Sequence, residues 1–382
     1  MGWIERREVG AGVRYKVSWR EPDRTIRSKT FRRRSDADGY LKTVEVRLLS
    51  GMYLSPTRGR MRLREYWEQT RTDLNSAAPA TRALYDLHWR LYILPGLGGY
   101  PLAEITRPVV REFLDTLRRD GRGHGTVDTT HRILRRTLGC AVEDGLMPGN
   151  PAVRMRATSV HRPQSRFLSV AEVETLAAAV PPRFRALVYV LSYCGLRIGE
   201  ASALTMRAVD LRSGVLSIEQ AASEVNGHRH LGPTKSRRMR SVTMPPFLAE
   251  ELRHHIDQYI SVWRPDDWLF SGSRGGPVTQ SGFRRNIFRP ACERCGIQPV
   301  PRVHDLRHTA AALAVEAQVH PKAIQEMLGH ASIRTTLDTY GHLFKGAQNV
   351  TADRMNELRQ QSIAQDDRLN GGPNATHLRV VK

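Results

Sequence analysis

Hydrophobic residues change their spacing along this chain, and that change limits its fold more than any other feature. Near the start, "VRYKVSWREP" alternates apolar and polar residues at period two, and "DRTIRSKTFRRR" continues as a further strand after a turn. From residue 60 onward apolar residues recur at three and four, the spacing of one helix face. At 382 residues the chain exceeds the usual span of one hydrophobic core, so two or three domains are expected.

Residues 1–55 read as a small β-β-β-α module whose helix, "SDADGYLKTVEVRLLSG", ends at Gly51. Its many arginines suit a DNA-contacting appendage; a solvated basic face is the alternative. "YLSPTRGRM" is a linker. Residues 60–157 form an all-α domain of about four helices: "LREYWEQTRTDL", "ATRALYDLHWRLYILPGLG", "TRPVVREFLDTLRRDG" and "TVDTTHRILRRTLGCAVEDGLM". After the Pro-bearing break "NPAVRMRATSVHRPQSRF", residues 166–345 are mixed and mainly helical, with one small antiparallel sheet between "GVLSIEQAAS" and "RSVTMP". Residues 346–382 are a polar tail: "TADRMNELRQQSIAQ" reads as a helix, and "HLRVV" could pair as a strand.

Charge narrows the function. A formal charge of +21 asks for an anionic partner, and nucleic acid is the commonest polyanion in cells. A membrane surface would call for a long basic amphipathic helix with bulky apolar residues opposite, and none is evident. No run approaches the roughly eighteen apolar residues of a membrane span, and "MGWIERREVG" is charged where a signal peptide would be apolar. A soluble, intracellular (cytoplasmic) protein is expected. Cys292 and Cys295 form a lone C-x-x-C without the second pair a structural zinc site needs.

Nearly all the positive charge is arginine, and between Lys42 and Lys322 the one lysine is Lys235. Arginine cannot release a proton near neutral pH, whereas an ammonium can. Lys235 lies in "GPTKSRRMRSVTMP", read as the turn of a β-hairpin. "YCGLRIGEASALT" places Arg197 where a glycine turn starts a helix. In "VHDLRHTAAALAV", His304 and Arg307 are three apart, so on a helix both can converge on one small anion. "IQEMLGHAS" adds His330 after another glycine turn, and Tyr340 follows ten residues later in "GHASIRTTLDTYGH".

Arg197, Lys235, His304, Arg307, His330 and Tyr340, in that order, resemble the catalytic set of the tyrosine recombinases, the phage integrase family. The resemblance spans roughly residues 60–345 and is strongest over "HDLRHTAAALAVEAQVHPKAIQEMLGHASIRTTLDTYGH". It implies a SAM-like helical core-binding domain and a catalytic domain of the DNA breaking-rejoining fold. It also implies that Tyr340 attacks a DNA phosphodiester and leaves a 3′-phosphotyrosine. Arg197 and Arg307 would bind the non-bridging oxygens, with a hydrogen bond from His330. His304 would assist proton transfer from the tyrosine, and Lys235 would protonate the departing 5′-hydroxyl. Glu200 and Asp305 fit supporting positions that orient a helix or a catalytic side chain. Neither metal nor other cofactor is implied, because the arginines supply the charge stabilisation and the covalent intermediate conserves the phosphodiester energy.

Departures from the family pattern are Gln318, where glycine is common, and Met206, where tryptophan is frequent; both are expected to affect packing. His308 and His342 also match family positions, but for each a structural role is favoured over a functional one. The N-terminal module resembles the arm-binding domain of phage and mobile-element integrases, which bridges arm and core sites. The expected partners are double-stranded DNA at core and arm attachment sites, a homotetramer in the synaptic complex, and, for excision, a directionality factor and a host DNA-bending protein. The tail would be exchanged between protomers. The alternatives are a Xer-like chromosome or plasmid resolvase and a type IB topoisomerase-like relaxing enzyme.

Overall fold

The computed structural model describes residues 2–9, 12–21, 24–49, 60–72, 77–155, 166–234, 239–272, 276–344 and 347–370, the side chains of the last segment over 352–365. The chain divides into two compact units, Met1–Arg162 and Pro163–Lys382. Gly51, much of both linker stretches and the "HLRVV" segment lie outside the described residues.

The first unit opens with strands β1 (Trp3–Val9), β2 (Gly12–Arg20) and β3 (Ile26–Phe31), antiparallel in that order, followed by helix α1 (Arg34–Leu49). Period two sends Val17 and Trp19 to one face of β2, where they are buried with Ala37 and Val44 of α1. Trp19 meets Tyr40 edge-on, ring centroids 5.6 Å apart. Arg7, Arg14 and Lys16 lie on the other face, with Arg7 opposite Arg14 and Lys16 opposite Glu5.

A separate core gathers the helices α2 (Leu63–Thr70), α3 (Pro79–His88), α4 (Leu94–Leu97), α5 (Arg107–Arg119) and α6 (His124–Glu143). Trp67 of α2 stacks on Trp89 at 4.2 Å between centroids, and the Tyr66 hydroxyl donates to Asp144 at 2.6 Å. The stretch expected as one helix over 80–98 is interrupted by a π-helical turn, Trp89–Ile93. The cause is Pro95, which has no N–H and whose ring would strike the carbonyl four residues back. The turn widens, and the amide of Leu94 bonds five back, to Trp89. The second unit repeats the device before Pro290, where Arg289 bonds to Arg284.

In the second unit, α7 (Val170–Ala179) starts at Ser169, whose hydroxyl accepts from the Glu172 amide while the Glu172 carboxylate accepts from the Ser169 amide. Helix α8 (Arg185–Tyr193) is the centre of the core: Ala186 to Ser192 are all buried, and α13 (Val303–Glu316) packs on it. Between them run α9 (Ile198–Ala201), strands β4 (Val209–Asp210), β5 (Val215–Ile218), β6 (Gln220–Val225), β7 (His228–Pro233) and β8 (Arg240–Thr243), then α10 (Pro246–Tyr259), α11 (Gln280–Gly282), a π-helical turn (Phe283–Phe288) and α12 (Arg289–Arg294). Helices α14 (Pro321–Leu328), α15 (Ile333–Tyr340) and α16 (Ala347–Asn370) follow.

The strands form two small antiparallel sheets where one was expected: β4-β5-β8, and the pair β6-β7. Asn226 and Gly227, at φ +51° and +79°, make the tight turn of that pair. The strands flanking Lys235 are therefore not a hairpin, because β7 pairs with β6 and β8 pairs with β5. Lys235 itself lies outside the described residues. Met206 is 1% exposed inside the main core, in keeping with a packing role.

Candidate active site

Three guanidinium groups and one carboxylate make the site. Gly195, at φ +64°, turns the chain from the end of α8 toward Arg197, the residue before α9. A Cβ at Gly195 would come within 2.7 Å of Leu328 and 3.3 Å of Ala310, so the turn also permits close packing against α14 and α13. Arg307 crosses this junction from α13 and donates to the carbonyls of Gly195 and Leu328, each at 2.6 Å. The Leu328 oxygen is an orphan acceptor on the last residue of α14, and Gly195 lies just past the end of α8, where the helix dipoles favour a cation. That environment keeps a side chain 2% exposed in place without a carboxylate bonded to it. Burial, and then the neighbouring charge of Arg197, push Arg307 down to about 9.

Glu200, 1% exposed, is the anchor for the other two. Its carboxylate accepts from the Arg197 amide at 2.9 Å and the Arg197 guanidinium at 2.8 Å. From the other side it accepts both Nη atoms of Arg240, at 3.1 and 2.7 Å. Burial raises this carboxyl, but the arginine contacts prevail and hold it at about 2. Arg240 also donates to the carbonyl of Met327 at 3.0 Å. Gly329, at φ +67°, lets α14 end beside it, since a Cβ there would stand 2.9 Å from the Arg240 side chain.

The histidines differ in setting. His330 follows Gly329, its Nδ1 2.9 Å from Thr336 Oγ1, and burial with Arg307 and Arg197 nearby lowers it to about 4. His304, on the first turn of α13, meets the His308 ring edge-on at 4.9 Å. Its surroundings, then His308 and the arginines, lower it to about 4, although its exposed edge lets water screen part of that effect. Asp305 accepts from the Arg302 amide at 2.7 Å and from its guanidinium at 2.7 Å, which caps α13 and fixes the helix carrying Arg307.

Tyr340 ends α15 and is 1% exposed, in a small core with Ala311, Val315, Ile324 and Leu328. Burial lifts its phenol to about 12 despite Arg307 and Arg197. The hydroxyl is 2.8 Å from Nδ1 of His308. His342 rests against Phe167, centroids 6.2 Å apart.

Of the residues singled out from sequence, five occupy one site: Arg197, His304, Arg307, His330 and Tyr340, with Glu200 and Asp305 beneath them. Sequence reasoning missed Arg240 and set His308 aside. The pattern held a signal for Arg240: in β8 it alternates with Val242 and lies opposite Ile218, so a charge occupies an inward position. Nothing in the spacing distinguished His308 from a core histidine.

Residues 166–346 match the model of the phage integrase family. The integrase of Mycobacterium phage D29 is 28% identical over 373 residues, spanning 94% of this chain and 97% of that protein. Over residues 166–346 the chain therefore carries a phage integrase family domain. It is thus a tyrosine recombinase of the integrase type, a site-specific DNA recombinase. The integrase fold extends to the Tn1549 transposon integrase solved with a circular intermediate DNA (TM-score 0.69, 18% identity, 77% of this chain and 99% of that one). It extends also to lambda integrase, solved as a dimer on a COC′ core site (0.58, 19%, 87% and 93%) and as a tetramer on a Holliday junction (0.56, 20%, 84% and 91%). Among the described residues no helix is long and apolar enough to cross a membrane.

Proposed function

We propose that Tyr340 attacks a phosphodiester of a DNA core site while Arg197 and Arg307 hold the non-bridging oxygens, and that the chain integrates and excises a phage or mobile element in this way. Three guanidinium groups less one carboxylate leave a fixed charge of +2, with both flanking histidines neutral near pH 7. A bound phosphodiester carries one negative charge and its pentacoordinate transition state two, so the site stabilises the transition state more than the ground state. His330 would add a hydrogen bond, His304 would assist proton transfer from the phenol, and Lys235 would protonate the 5′-oxygen as it departs.

The observation that carries this reading is the placement of Tyr340: its hydroxyl is bonded to the residue next to Arg307, within electrostatic reach of both Arg307 and Arg197. Because the phenol is 1% exposed, DNA binding must loosen the packing around it before phosphorus can be reached. Residues 1–55 would bind arm sites, 60–157 the core site, and 346–382 would pass between protomers of a tetramer. Within that tail, Met355, Leu358 and Ile363 of α16 are exposed apolar residues, as a segment that docks elsewhere requires. The DNA complexes of the Tn1549 and lambda integrases support a DNA partner, and the lambda tetramer supports the assembly.

The test is to mix the protein with nicked core-site duplex and look for a DNA adduct that survives denaturation. The parent should form it, and Tyr340→Phe should form none. An adduct of equal yield from the variant would end this reading.

A further inference from the structure

We propose that His308 is the base that receives the phenolic proton of Tyr340 as the nucleophile attacks, with His304 acting through it. The inference rests on the reading of Tyr340 as nucleophile. It comes from geometry: a general base must lie within hydrogen-bond reach of the proton it takes, and Nδ1 of His308 is 2.8 Å from the phenolic oxygen. His304, which the family resemblance names for this task, stands one ring further away, edge-on to His308 at 4.9 Å. Among the described residues no other side chain is bonded to that hydroxyl.

The protonation states fit. A phenol held above its ordinary range keeps its single proton and must donate, so Nδ1 must accept and the His308 proton resides on Nε2. The groups facing His308 are Arg302 just before α13, His304, Asp305 and Arg307 on α13, His330 after α14, and Tyr340 on α15. Burial, Arg302 and Arg307 lower His308 while Asp305 raises it, and the balance leaves a neutral imidazole able to take a proton. The arrival of a phosphodiester brings a negative charge beside these cations, which favours the imidazolium that forms.

The step balances. The Tyr340 oxygen forms its bond to phosphorus as its O–H bond breaks toward Nδ1, leaving His308 as imidazolium. The bond from phosphorus to the 5′-oxygen breaks, and that oxygen takes a proton from a separate acid, Lys235 in the reading above. Rejoining reverses both transfers, with His308 returning the proton to the departing phenolate.

Two measurements test the assignment. In the free protein, nitrogen-15 chemical shifts of His308 should place the proton on Nε2 and show Nδ1 as an acceptor; a neutral ring protonated at Nδ1 would overturn the proposal. In single-turnover adduct formation on nicked core-site duplex, His308→Ala should be slower by about 10²–10⁴-fold at unchanged DNA affinity. Added imidazole, or a fluorinated tyrosine of lower pKa at position 340, should recover much of that loss. His308→Gln keeps a side-chain acceptor that cannot be protonated, and it guards against an alanine variant that fails to fold. It should remain slow until the fluorinated tyrosine is introduced, and a glutamine variant at the parent rate would reduce His308 to a positioning residue and sink the idea. Tyr340→Phe run in parallel separates the two claims: an adduct from that protein would fault the nucleophile, not its base.

Discussion

Arginine is used in two ways in this chain. On the helices of the first unit, Arg119 pairs with Glu112 and Arg132 with Asp128, carboxylates of the same helix, and both guanidinium side chains are about two-thirds exposed, at 65% and 67%. In the second unit, Arg307 is bonded to carbonyls 21 and 112 residues away and Arg240 to groups 40 and 87 residues away, with almost no exposure. The first kind needs only one or two turns of its own helix to find its partner. The second has partners only when α8, α9, β8, α13 and α14 are all in place, so the anion site is a product of the completed fold. Charge on the first unit is solvated and screened by salt, whereas charge in the site is held at a fixed position before any phosphate arrives.

The sharpest way to break this contrast is to remove the carboxylate between Arg197 and Arg240. Glu200→Ala should cost about 3–5 kcal/mol of unfolding free energy, because Arg240 would be left as a buried charge without its counterion. Urea denaturation of the second unit's transition measures it. A loss below about 1 kcal/mol would mean that these arginines behave like surface ones.

How much of this could be read beforehand follows the same division. Local patterns gave the strand module, the helices and the order of the site residues, because period two, period three-to-four and glycine turns are written in neighbouring residues. Arg240 and the phenol's partner were not legible in that way. Arg240 becomes a site residue only through the β5-β8 register, which sets it opposite Ile218, and His308 only because α15 brings Tyr340 against α13. The π turns before Pro95 and Pro290 were hidden for a related reason: a proline mid-helix announces a defect without saying whether the helix kinks or widens. Gln318 had been expected to matter for packing, and it sits at φ +59° just past α13, a backbone setting that suits glycine.

Acid sharpens the contrast at somewhat smaller magnitude. Glu200 is held near 2 against an ordinary 4.5, so its stabilisation is complete above pH 4.5 and is lost as pH falls toward 2, where the unfolded chain binds the proton first. The difference is worth about 3 kcal/mol. His330 acts in the same direction in an earlier window: lowered to about 4 from 6.5, it leaves the unfolded state to take the proton first, and stability declines between pH 6.5 and 4. The second unit should therefore lose stability from pH 6.5 downward in two stages, read from urea midpoints across pH. Glu200→Gln should remove the lower stage, and a parent curve flat from pH 6.5 to 3 would contradict the geometry given for both groups.

The smallest expected effect lies on the other side of the comparison. Arg119 bonds to Glu112 and to Thr116 at 3.0 Å, yet at 65% exposure the pair gains little Coulomb energy in water while it costs side-chain entropy. Arg119→Ala should shift the first unit's unfolding free energy by no more than about 0.5 kcal/mol, and salt should narrow even that difference. Calorimetry of parent and variant at low and at 0.5 M salt, a concentration on the order of several times physiological, decides the point. A loss beyond about 1 kcal/mol that persisted in salt would place Arg119 among arginines the fold depends on. If the loss stays small, the charge on these helices is free of structural duty, the condition under which it can be spent on a polyanionic partner instead.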